Sequence, residues 1–237
     1  MENKVEFKVY GKYALFTDPL TKIGGEKCSY QIPTYEALKG IISSVYWKPT
    51  IIWIIDKVRV MKPIKTQTRS AKPIDYSGGN SLAIYTYLFD VEYQVQAHFE
   101  WNIKRKDLEK DRNENKHYFV AKRMVERGGR RDVFLGSREC QGYVEPCKLG
   151  EGQGFYDNYG ELSFGVMFHG FDYPDEFGKN EFYSRFWKAK MADGIMTFPR
   201  AEDCPYRKFV RPMAVQEIKT SGIEEYGLLD GYEEVAQ

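Results

Sequence analysis

The sequence lacks the residue groupings that usually hold metal ions. Its four cysteines (Cys28, Cys140, Cys147 and Cys204) include no CxxC pair, and the spacing of Cys140 and Cys147 is poor for zinc. We therefore expect them to be reduced structural thiols. No cluster of carboxylates has the spacing of a two-metal nuclease, which argues against that class of enzyme. The sequence thus predicts a protein that works without a metal or other cofactor.

Long hydrophobic runs are also missing, and so is a large net charge. No apolar stretch approaches the length of a signal or membrane helix, which predicts a cytoplasmic protein without membrane contact. The formal charge is only +1, yet Lys57 to Lys72 holds six Lys/Arg and no acid, whereas Ala214 to Gln237 holds six acids and one Lys. Local patches therefore matter more than the overall charge.

The order of predicted elements indicates an α+β fold. From Ala83 to Trp101 every odd position is apolar or aromatic, which predicts one long strand or two collinear ones and places His98 on the polar face as a solvated bystander. The other elements are a strand from Val5 to Phe16, a helix capped by Thr34 that ends near Tyr46 before Pro49, a strand from Ile51 to Met61, a polar connection from Lys62 to Ser81, a helix between Lys104 and Gly128, and a strand from Arg131 to Val144. This βαββαβ order is the ferredoxin-like arrangement shared by RNA-recognition motifs.

Beyond this unit the sequence predicts a small antiparallel β lobe. Leu162 to Phe171 and Phe182 to Met191 are predicted strands, and Asp193-Gly194 turns the second into Ile195 to Phe198. His169 lies in an aromatic strand, so we interpret it as structural. The predicted domains are residues 1–147, a ferredoxin-like RNA-processing domain, residues 148–213, the β lobe, and residues 214–237, an acidic C-terminal tail.

The stretch from Lys104 to Arg131 is where we expect the chemistry, because it carries eleven Lys/Arg against five Asp/Glu. Asn113 or Asn115 can cap a helix there, which places Lys116 and His117 in its first turn. Unpaired backbone N–H groups and the positive end of the helix dipole attract a phosphate at such a turn. The same dipole and the Lys116 charge disfavour an imidazolium, so a neutral His117 beside a phosphate can act as a general base.

The predicted topology brings a third residue to this turn. In a βαββαβ fold the two helices lie antiparallel on one face of the sheet, so the end of the first lies beside the start of the second. We therefore expect Tyr46 to approach Lys116 and His117. Without this topology, His117 is equally well a surface histidine, Lys116 a solvated lysine and Tyr46 a core aromatic residue.

Basic residues with few acidic neighbours predict a track for RNA phosphates. A solvated loop is the alternative for the Lys57 to Lys72 stretch, but the absence of any acid favours the track. The predicted RNA-binding residues are Lys57, Arg59, Lys62, Lys65, Arg69, Lys72, Lys104, Arg105, Arg123, Arg130 and Arg131.

Three segments resemble, in the same order, segments of a known family. SYQIPTYEALKGIISSVYWKP (Ser29 to Pro49), VFLGSREC (Val133 to Cys140) and FGVMFHGFDY (Phe164 to Tyr173) are similar to the CRISPR-associated RAMP proteins of the Cas-five family, subtype d, of the type I-C system. The resemblance runs from the first strand to about Met213. It implies that the tyrosine after the first helix and the Lys-His pair opening the second, here Tyr46, Lys116 and His117, form the catalytic set.

The resemblance also implies an activity. Such a protein would cut precursor CRISPR RNA within the repeat hairpin without a metal, leaving a 5′-hydroxyl and a 2′,3′-cyclic phosphate. It would stay bound to the 5′ handle as a subunit of a Cascade-like complex, together with the backbone and large subunits. The resemblance leaves the binding of duplex DNA open.

Two other functions compete with RNA cleavage. Relatives in other subtypes bind CRISPR RNA without cutting it, so a non-catalytic handle-binding subunit is the first alternative. An unrelated ferredoxin-like regulator of a small ligand is the second, and the basic stretch disfavours it. In the cleaving protein, His117 would take the proton of the RNA 2′-hydroxyl, Lys116 would stabilise charge on phosphorus, and Tyr46 would orient the phosphate or protonate the leaving 5′-oxygen.

Overall fold

A computed structural model of the chain describes residues 3–23, 25–74, 77–79 and 81–214. Its strands are β1 (Val5–Ala14), β2 (Ile51–Val60), β3 (Thr66–Ala71), β4 (Ala83–Trp101), β5 (Val133–Phe134), β6 (Gln141–Pro146), β7 (Glu161–Asp172), β8 (Glu181–Ala192), β9 (Ile195–Thr197) and β10 (Tyr206–Pro212). Its helices are α1 (Pro19–Lys22), α2 (Tyr35–Val45), α3 (Glu114–Glu126) and α4 (Pro174–Phe177), with a 3₁₀ helix at Lys106–Asp111. None of the helices within these ranges is long and apolar enough to cross a membrane.

The described strands form a mixed α/β structure built on a mostly antiparallel sheet. The strand order is β10-β8-β9-β2-β4-β1-β6-β5, and β3 and β7 are added by pairing with β4 and β8. β1 and β4 are in register over nearly all of β1, with Phe7 opposite Val95. β2 lies antiparallel on the other side of β4, with Trp53 opposite Phe99. These pairs place the largest buried side chains of the core side by side.

The long alternating strand is confirmed as β4, and its buried face carries Val95, Ala97 and Phe99. The interpretation of His98 as a solvated bystander is wrong. Its Nδ1 lies 2.9 Å from both carboxylate oxygens of Asp56 on β2, and the side chain is partly buried. The two residues are cross-strand neighbours, which the pattern of one strand cannot reveal.

The first long helix, α2, has the predicted cap and face. The Thr34 hydroxyl accepts a hydrogen bond from the Ala37 N–H at 3.2 Å, and the helix ends at Val45, ahead of Pro49. Its buried residues recur at helical spacing, and they are Tyr35, Leu38, Ile41, Ile42 and Val45. This face packs on β2, while α3 packs on β1 and β6, and the two helices also contact each other.

Three predicted boundaries are wrong. The connection from Lys62 to Ser81 contains β3, whose polar sequence is exposed and shows no apolar alternation. The helix between Lys104 and Gly128 is split, because a 3₁₀ helix precedes α3. The strand from Arg131 to Val144 is broken into β5 and β6 at Gly136, which has φ +94° and lies where a Cβ would be 2.1 Å from the Leu15 carbonyl oxygen. Only glycine fits there.

The predicted β lobe contains β7, β8, β9 and β10, of which the sequence reading missed β10. Its strands are antiparallel, as expected. β9 also pairs with β2, with Met196 opposite Val58, so residues 148–213 continue the same sheet as residues 1–147. The predicted acidic tail lies, except for Ala214, outside the described residues.

Candidate active site

The first turn of α3 presents two neighbouring residues in different directions. The Asn113 side chain accepts a hydrogen bond from the Lys116 N–H at 3.0 Å and so caps the helix, as one of the two predicted caps. Successive helical residues diverge by about 100° around the axis. His117 consequently points into the core and is 0% exposed, whereas Lys116 lies at the surface.

Tyr46 comes to His117 from the end of α2. It has extended backbone angles (φ −156°, ψ 126°) and is 3% exposed. Its carbonyl oxygen accepts a hydrogen bond from Trp53 Nε1 at 2.7 Å, which fixes the residue against β2. The Tyr46 hydroxyl lies 2.7 Å from His117 Nδ1, although the two residues are 71 positions apart in sequence. The expected approach of Tyr46 to His117 is therefore confirmed.

The other ring nitrogen of His117 fixes the direction of this hydrogen bond. His117 Nε2 lies 2.8 Å from the Asp111 carbonyl oxygen, which can only accept. In the neutral ring Nε2 must therefore carry the hydrogen, so Nδ1 accepts and the Tyr46 hydroxyl donates. Burial, and secondarily the Asp111 charge, raises the pKa of Tyr46, which keeps the hydroxyl protonated. Both nitrogens of His117 are thus occupied.

Aromatic rings enclose His117. Its ring meets those of Phe99 and Trp101 nearly edge to face, with centroids 6.0 and 5.6 Å away. Tyr46 lies on another side, with its centroid at 6.0 Å. These rings and the two hydrogen-bond partners account for the complete burial of the imidazole.

Asp111 connects His117 with Lys116 and was missed by the sequence reading. Its carboxylate is bound by the Lys116 ammonium and accepts from the Thr50 hydroxyl at 2.7 Å. Hydrogen bonds from Lys116 and then Thr50 hold the pKa of Asp111 below its ordinary value. One carboxylate oxygen lies 3.5 Å from His117 Nε2. The sequence offers one indication of its role, an acidic residue two positions before the N-cap Asn113. That pattern is too common in proteins to single out a functional residue.

A cleft opens at the C-terminal end of α2, where Ser44 and Trp47 line it. Gly128 and Gly129, both with positive φ, end α3 as predicted and turn the chain toward the last turn of α2. The N–H groups of Arg130 and Arg131 then bind the carbonyls of Val45 and Ser44 at 3.2 and 3.1 Å. Both arginine side chains line a cleft of about 480 Å³. Cations are favourable at the negative end of the α2 dipole.

A second cleft, of about 650 Å³, shares Trp47 with the first. Lys104 and Arg105 line it, and Arg105 is paired with Asp107 at 2.6 Å. Four of the predicted RNA-binding residues therefore lie in the two clefts that share Trp47, and neither lining includes Tyr46, Lys116 or His117.

Arg59 is a correction to the predicted RNA-binding set. It is 4% exposed, and its guanidinium binds the Asp157 carboxylate at 2.6 Å and the Gln94 side chain at 3.1 Å. The reason is a bulge between Ile55 and Lys57, which reverses which face of β2 each later residue occupies. A buried cation with these partners cannot serve as a surface contact for phosphates.

The remaining predicted contacts lie away from the clefts. On the β3–β4 hairpin, Lys65 and Lys72 are exposed, Arg69 lies 4.9 Å above the Tyr13 ring, and Lys62 is paired with Asp90 at 2.7 Å. Lys57 on β2 and Arg123 on α3 are exposed at other places. Across the described ranges, no group of three or more His, Cys, Asp or Glu residues is arranged to hold a metal ion.

The chain was compared with protein families and with known proteins. The Cas5d family model, described as CRISPR-associated protein (Cas_Cas5), matches residues 5–199. The CRISPR pre-crRNA endoribonuclease Cas5d of Mannheimia succiniciproducens is 28% identical over 229 residues, which cover 84% of this chain and 96% of the relative. That of Thermus thermophilus is 28% identical over 103 residues, covering 40% of this chain and 44% of the relative.

A solved structure agrees with this result. The crystal structure of a CRISPR-associated protein superposes with a TM-score of 0.72 at 34% sequence identity, covering 87% of this chain and 97% of the other.

Proposed function

The chain belongs to the Cas5d family of CRISPR-associated proteins, and on that premise we propose that it is an endoribonuclease that cuts precursor CRISPR RNA within the repeat. The relatives that match it over long segments are named for this activity. The observation that carries the proposal is the hydrogen bond between Tyr46 and the buried His117. In this pair His117 Nδ1 is a proton acceptor, and the Tyr46 hydroxyl can pass a proton to it. Cleavage by the RNA's own 2′-hydroxyl requires such an acceptor.

The hydrogen-bond direction favours a relay. The RNA 2′-hydroxyl gives its proton to the Tyr46 oxygen as the Tyr46 proton moves to His117 Nδ1, and the 2′-oxygen attacks phosphorus. The bond to the 5′-oxygen breaks, and water protonates that oxygen. The products are a 2′,3′-cyclic phosphate and a 5′-hydroxyl, and loss of the Nδ1 proton restores the site. In-line attack places the leaving oxygen opposite the base, so Tyr46 acts on the 2′-oxygen in this scheme.

Asp111 and Lys116 stabilise the charges that develop in this step. The Asp111 carboxylate, 3.5 Å from Nε2, stabilises the imidazolium that forms when Nδ1 takes a proton. Lys116 is exposed on its other sides, so its ammonium can turn from Asp111 toward a phosphate oxygen. The mechanism uses no metal or other cofactor, since a neutral imidazole accepts the proton and an ammonium balances the phosphate charge.

The wider assignment extends the same proposal. Residues 1–147 form a ferredoxin-like unit of the RNA-recognition type, supported by the order of β2, β4, β1 and β6. Residues 148–213 form its attached β lobe. After cleavage the protein stays on the 5′ handle of the repeat hairpin, as a subunit of a Cascade-like complex with the backbone and large subunits.

The deciding experiment is single-turnover cleavage of a labelled repeat RNA in EDTA. We expect cleavage there, with cyclic-phosphate and 5′-hydroxyl ends. A matched RNA with 2′-deoxyribose at the attacking nucleotide should bind with nearly unchanged affinity and stay intact, because only the nucleophile is removed. Cleavage of the deoxy RNA at the same bond would instead mean attack by a water molecule.

One observation favours a second function. Because His117 is fully buried with both nitrogens bound, the same structure suits a subunit that holds the 5′ handle without cutting. Tight binding of the repeat RNA with no cleavage, with or without added metal ions, would establish this second function.

A further inference from the structure

The residue after Tyr46 differs from the other tryptophans in its exposure. Trp47 is 51% exposed, whereas Trp53 and Trp187 are buried in the core. The extended backbone at Tyr46 sends successive side chains to opposite sides, so the phenol enters the core and the indole leaves it. Trp47 has no aromatic partner or side-chain hydrogen bond among the described residues. About half of its surface is therefore open to a ligand.

Three cations share the first cleft with this indole. Trp47 forms part of both clefts, and the first also contains Lys48, Arg130 and Arg131, all exposed. Within the described ranges these three have no carboxylate within ion-pair distance. Two acids line the same cleft. Glu176 is bound to Lys39 at 2.6 Å, and Glu36 accepts a hydrogen bond from the Phe171 N–H at 3.3 Å. An exposed indole that shares a cleft with cations outside any described ion pair matches a nucleotide, whose base stacks while its phosphate binds a cation.

We propose that Trp47 is a stacking platform for the base of an unpaired nucleotide next to the cut bond, with Lys48, Arg130 and Arg131 holding the flanking phosphates. This assignment rests on the proposed cleavage function and names the form of RNA at the site. The nucleotide is single-stranded, because a base paired and stacked in a helix has no free face for the indole. Stacking tolerates any base, so Trp47 positions the strand and does not read its sequence.

A stacked base places the reacting phosphate. Trp47 directly follows Tyr46 on the chain, so a base held on the indole anchors the bound strand at the end of α2, where Tyr46 is also held. Correct placement of reacting atoms contributes a large part of the rate of such reactions. Loss of Trp47 should therefore weaken binding and also slow the chemical step.

The test uses the uncleavable 2′-deoxy repeat RNA as the ligand. Stacking should quench the emission of the exposed Trp47 in the wild type, and Trp47→Phe should abolish that quenching. Binding measured through a labelled RNA should weaken about 5- to 150-fold in Trp47→Ala, the range for loss of one stacked base, and less in Trp47→Phe, which keeps a ring. Phe155→Ala removes a similarly exposed ring elsewhere and should leave affinity unchanged.

The outcomes separate this inference from the cleavage proposal. Quenching by the deoxy RNA, together with no cleavage of the matching all-ribose repeat RNA, would support stacking while overturning cleavage. Normal cleavage together with unchanged affinity and rate in Trp47→Ala, confirmed as folded by its melting temperature, would overturn stacking while cleavage stands. If Trp47→Ala instead loses only its association with other complex subunits, the indole is a protein contact and the inference is wrong.

Discussion

Tyr46 and His117 form a single donor–acceptor pair, so removing either one should reduce the cleavage rate to a similar extent. We expect Tyr46→Phe to slow single-turnover cleavage by at least about 10²-fold, as His117→Ala does, because either change interrupts the proton path. The double variant should be little slower than either single one, since both groups serve one transition state. RNA affinity should change little in all three.

The matched control is Tyr118→Phe, one position after His117 on the same helix. It removes a phenol hydroxyl that hydrogen-bonds to no described residue, so its rate should equal that of the wild type. If Tyr46→Phe cuts as fast as Tyr118→Phe, the RNA hydroxyl reaches His117 directly and the relay is wrong.

His169 should make the protein less stable in acid. Burial, and secondarily the Arg185 charge, lowers the pKa of His169 to about 3, while its Nε2 lies 3.0 Å from the Pro199 carbonyl oxygen. Between pH values of about 6.5 and about 3, His169 is protonated in the unfolded chain but stays neutral in the folded protein. The free energy of unfolding therefore falls as the pH falls. In His169→Gln this loss is absent, and the melting-temperature advantage of the wild type should shrink below pH 6.5.

The contribution of His98 to stability should change with pH in the opposite direction, so His98 serves as the control. The hydrogen bond that His98 donates to Asp56 raises the pKa of His98, so its contribution is present at low pH and is lost as pH rises through the folded-state pKa. The melting-temperature difference between the wild type and His98→Gln should therefore grow in acid. Two differences that follow pH in the same direction would contradict the assignment.

Some of these residues could be located from sequence and others could not. The meeting of Tyr46 and His117 was predictable because strand order alone fixes which helix ends are neighbours. Asp111 was not, because its place depends on the path of a 3₁₀ helix with no apolar periodicity. The burial of Arg59 was hidden by the β2 bulge, since one extra residue exchanges the two faces of a strand.

At the scale of elements, the first turn of α3 can be loosened without touching a reacting group. Asn113→Ala should lower stability by about 0.5–2 kcal/mol and also slow cleavage, because the cap orders the turn that holds Lys116 and His117. Asn113→Asp keeps an acceptor and should restore both. Thr34→Ala removes the cap at the far end of α2, and it should cost similar stability while leaving the rate constant for cleavage unchanged.

The β3–β4 hairpin offers a test of the proposed phosphate track. Reversing the charge of Lys65, Arg69 and Lys72 should weaken RNA binding and flatten its salt dependence, by about 0.7 in log–log slope for each lost phosphate contact. Lys62→Glu is the control, because Lys62 is already paired with Asp90 and should contribute less. Equal slopes for the triple variant and the wild type would show that RNA follows another path.

The elements themselves were predictable where burial imposes a period. α2 and β4 each bury one face, and their apolar residues repeat accordingly. β3 and β10 are exposed along almost their whole lengths, so no such repeat exists, and they form because neighbouring strands offer hydrogen bonds. Pairing of this kind cannot be read from the sequence of one segment.

For the molecule as a whole, Arg59 connects residues 1–147 with residues 148–213. The guanidinium binds Asp157 and the carbonyls of Glu151 and Gly152, all beyond residue 147. Arg59→Met should lower the free energy of unfolding, because it leaves the carbonyls of Glu151 and Gly152 and the Asp157 carboxylate without this donor, and it should leave one cooperative unfolding transition in urea. Lys57→Met, two positions earlier and exposed, should cost little. Two separated transitions in the wild type would mean independently folding units.

The joint between β9 and β2 also has a consequence for a chain still being made. β2 is synthesised early, but the strand that covers part of its edge, with Val58 opposite Met196, comes from the far end of the described residues. At about 5–20 residues per second, β9 leaves the ribosome roughly 7–30 s after β2. Throughout that interval the nascent protein carries an open strand edge, which is a template for pairing with other chains. Chaperone demand should therefore be greatest before the last strands emerge.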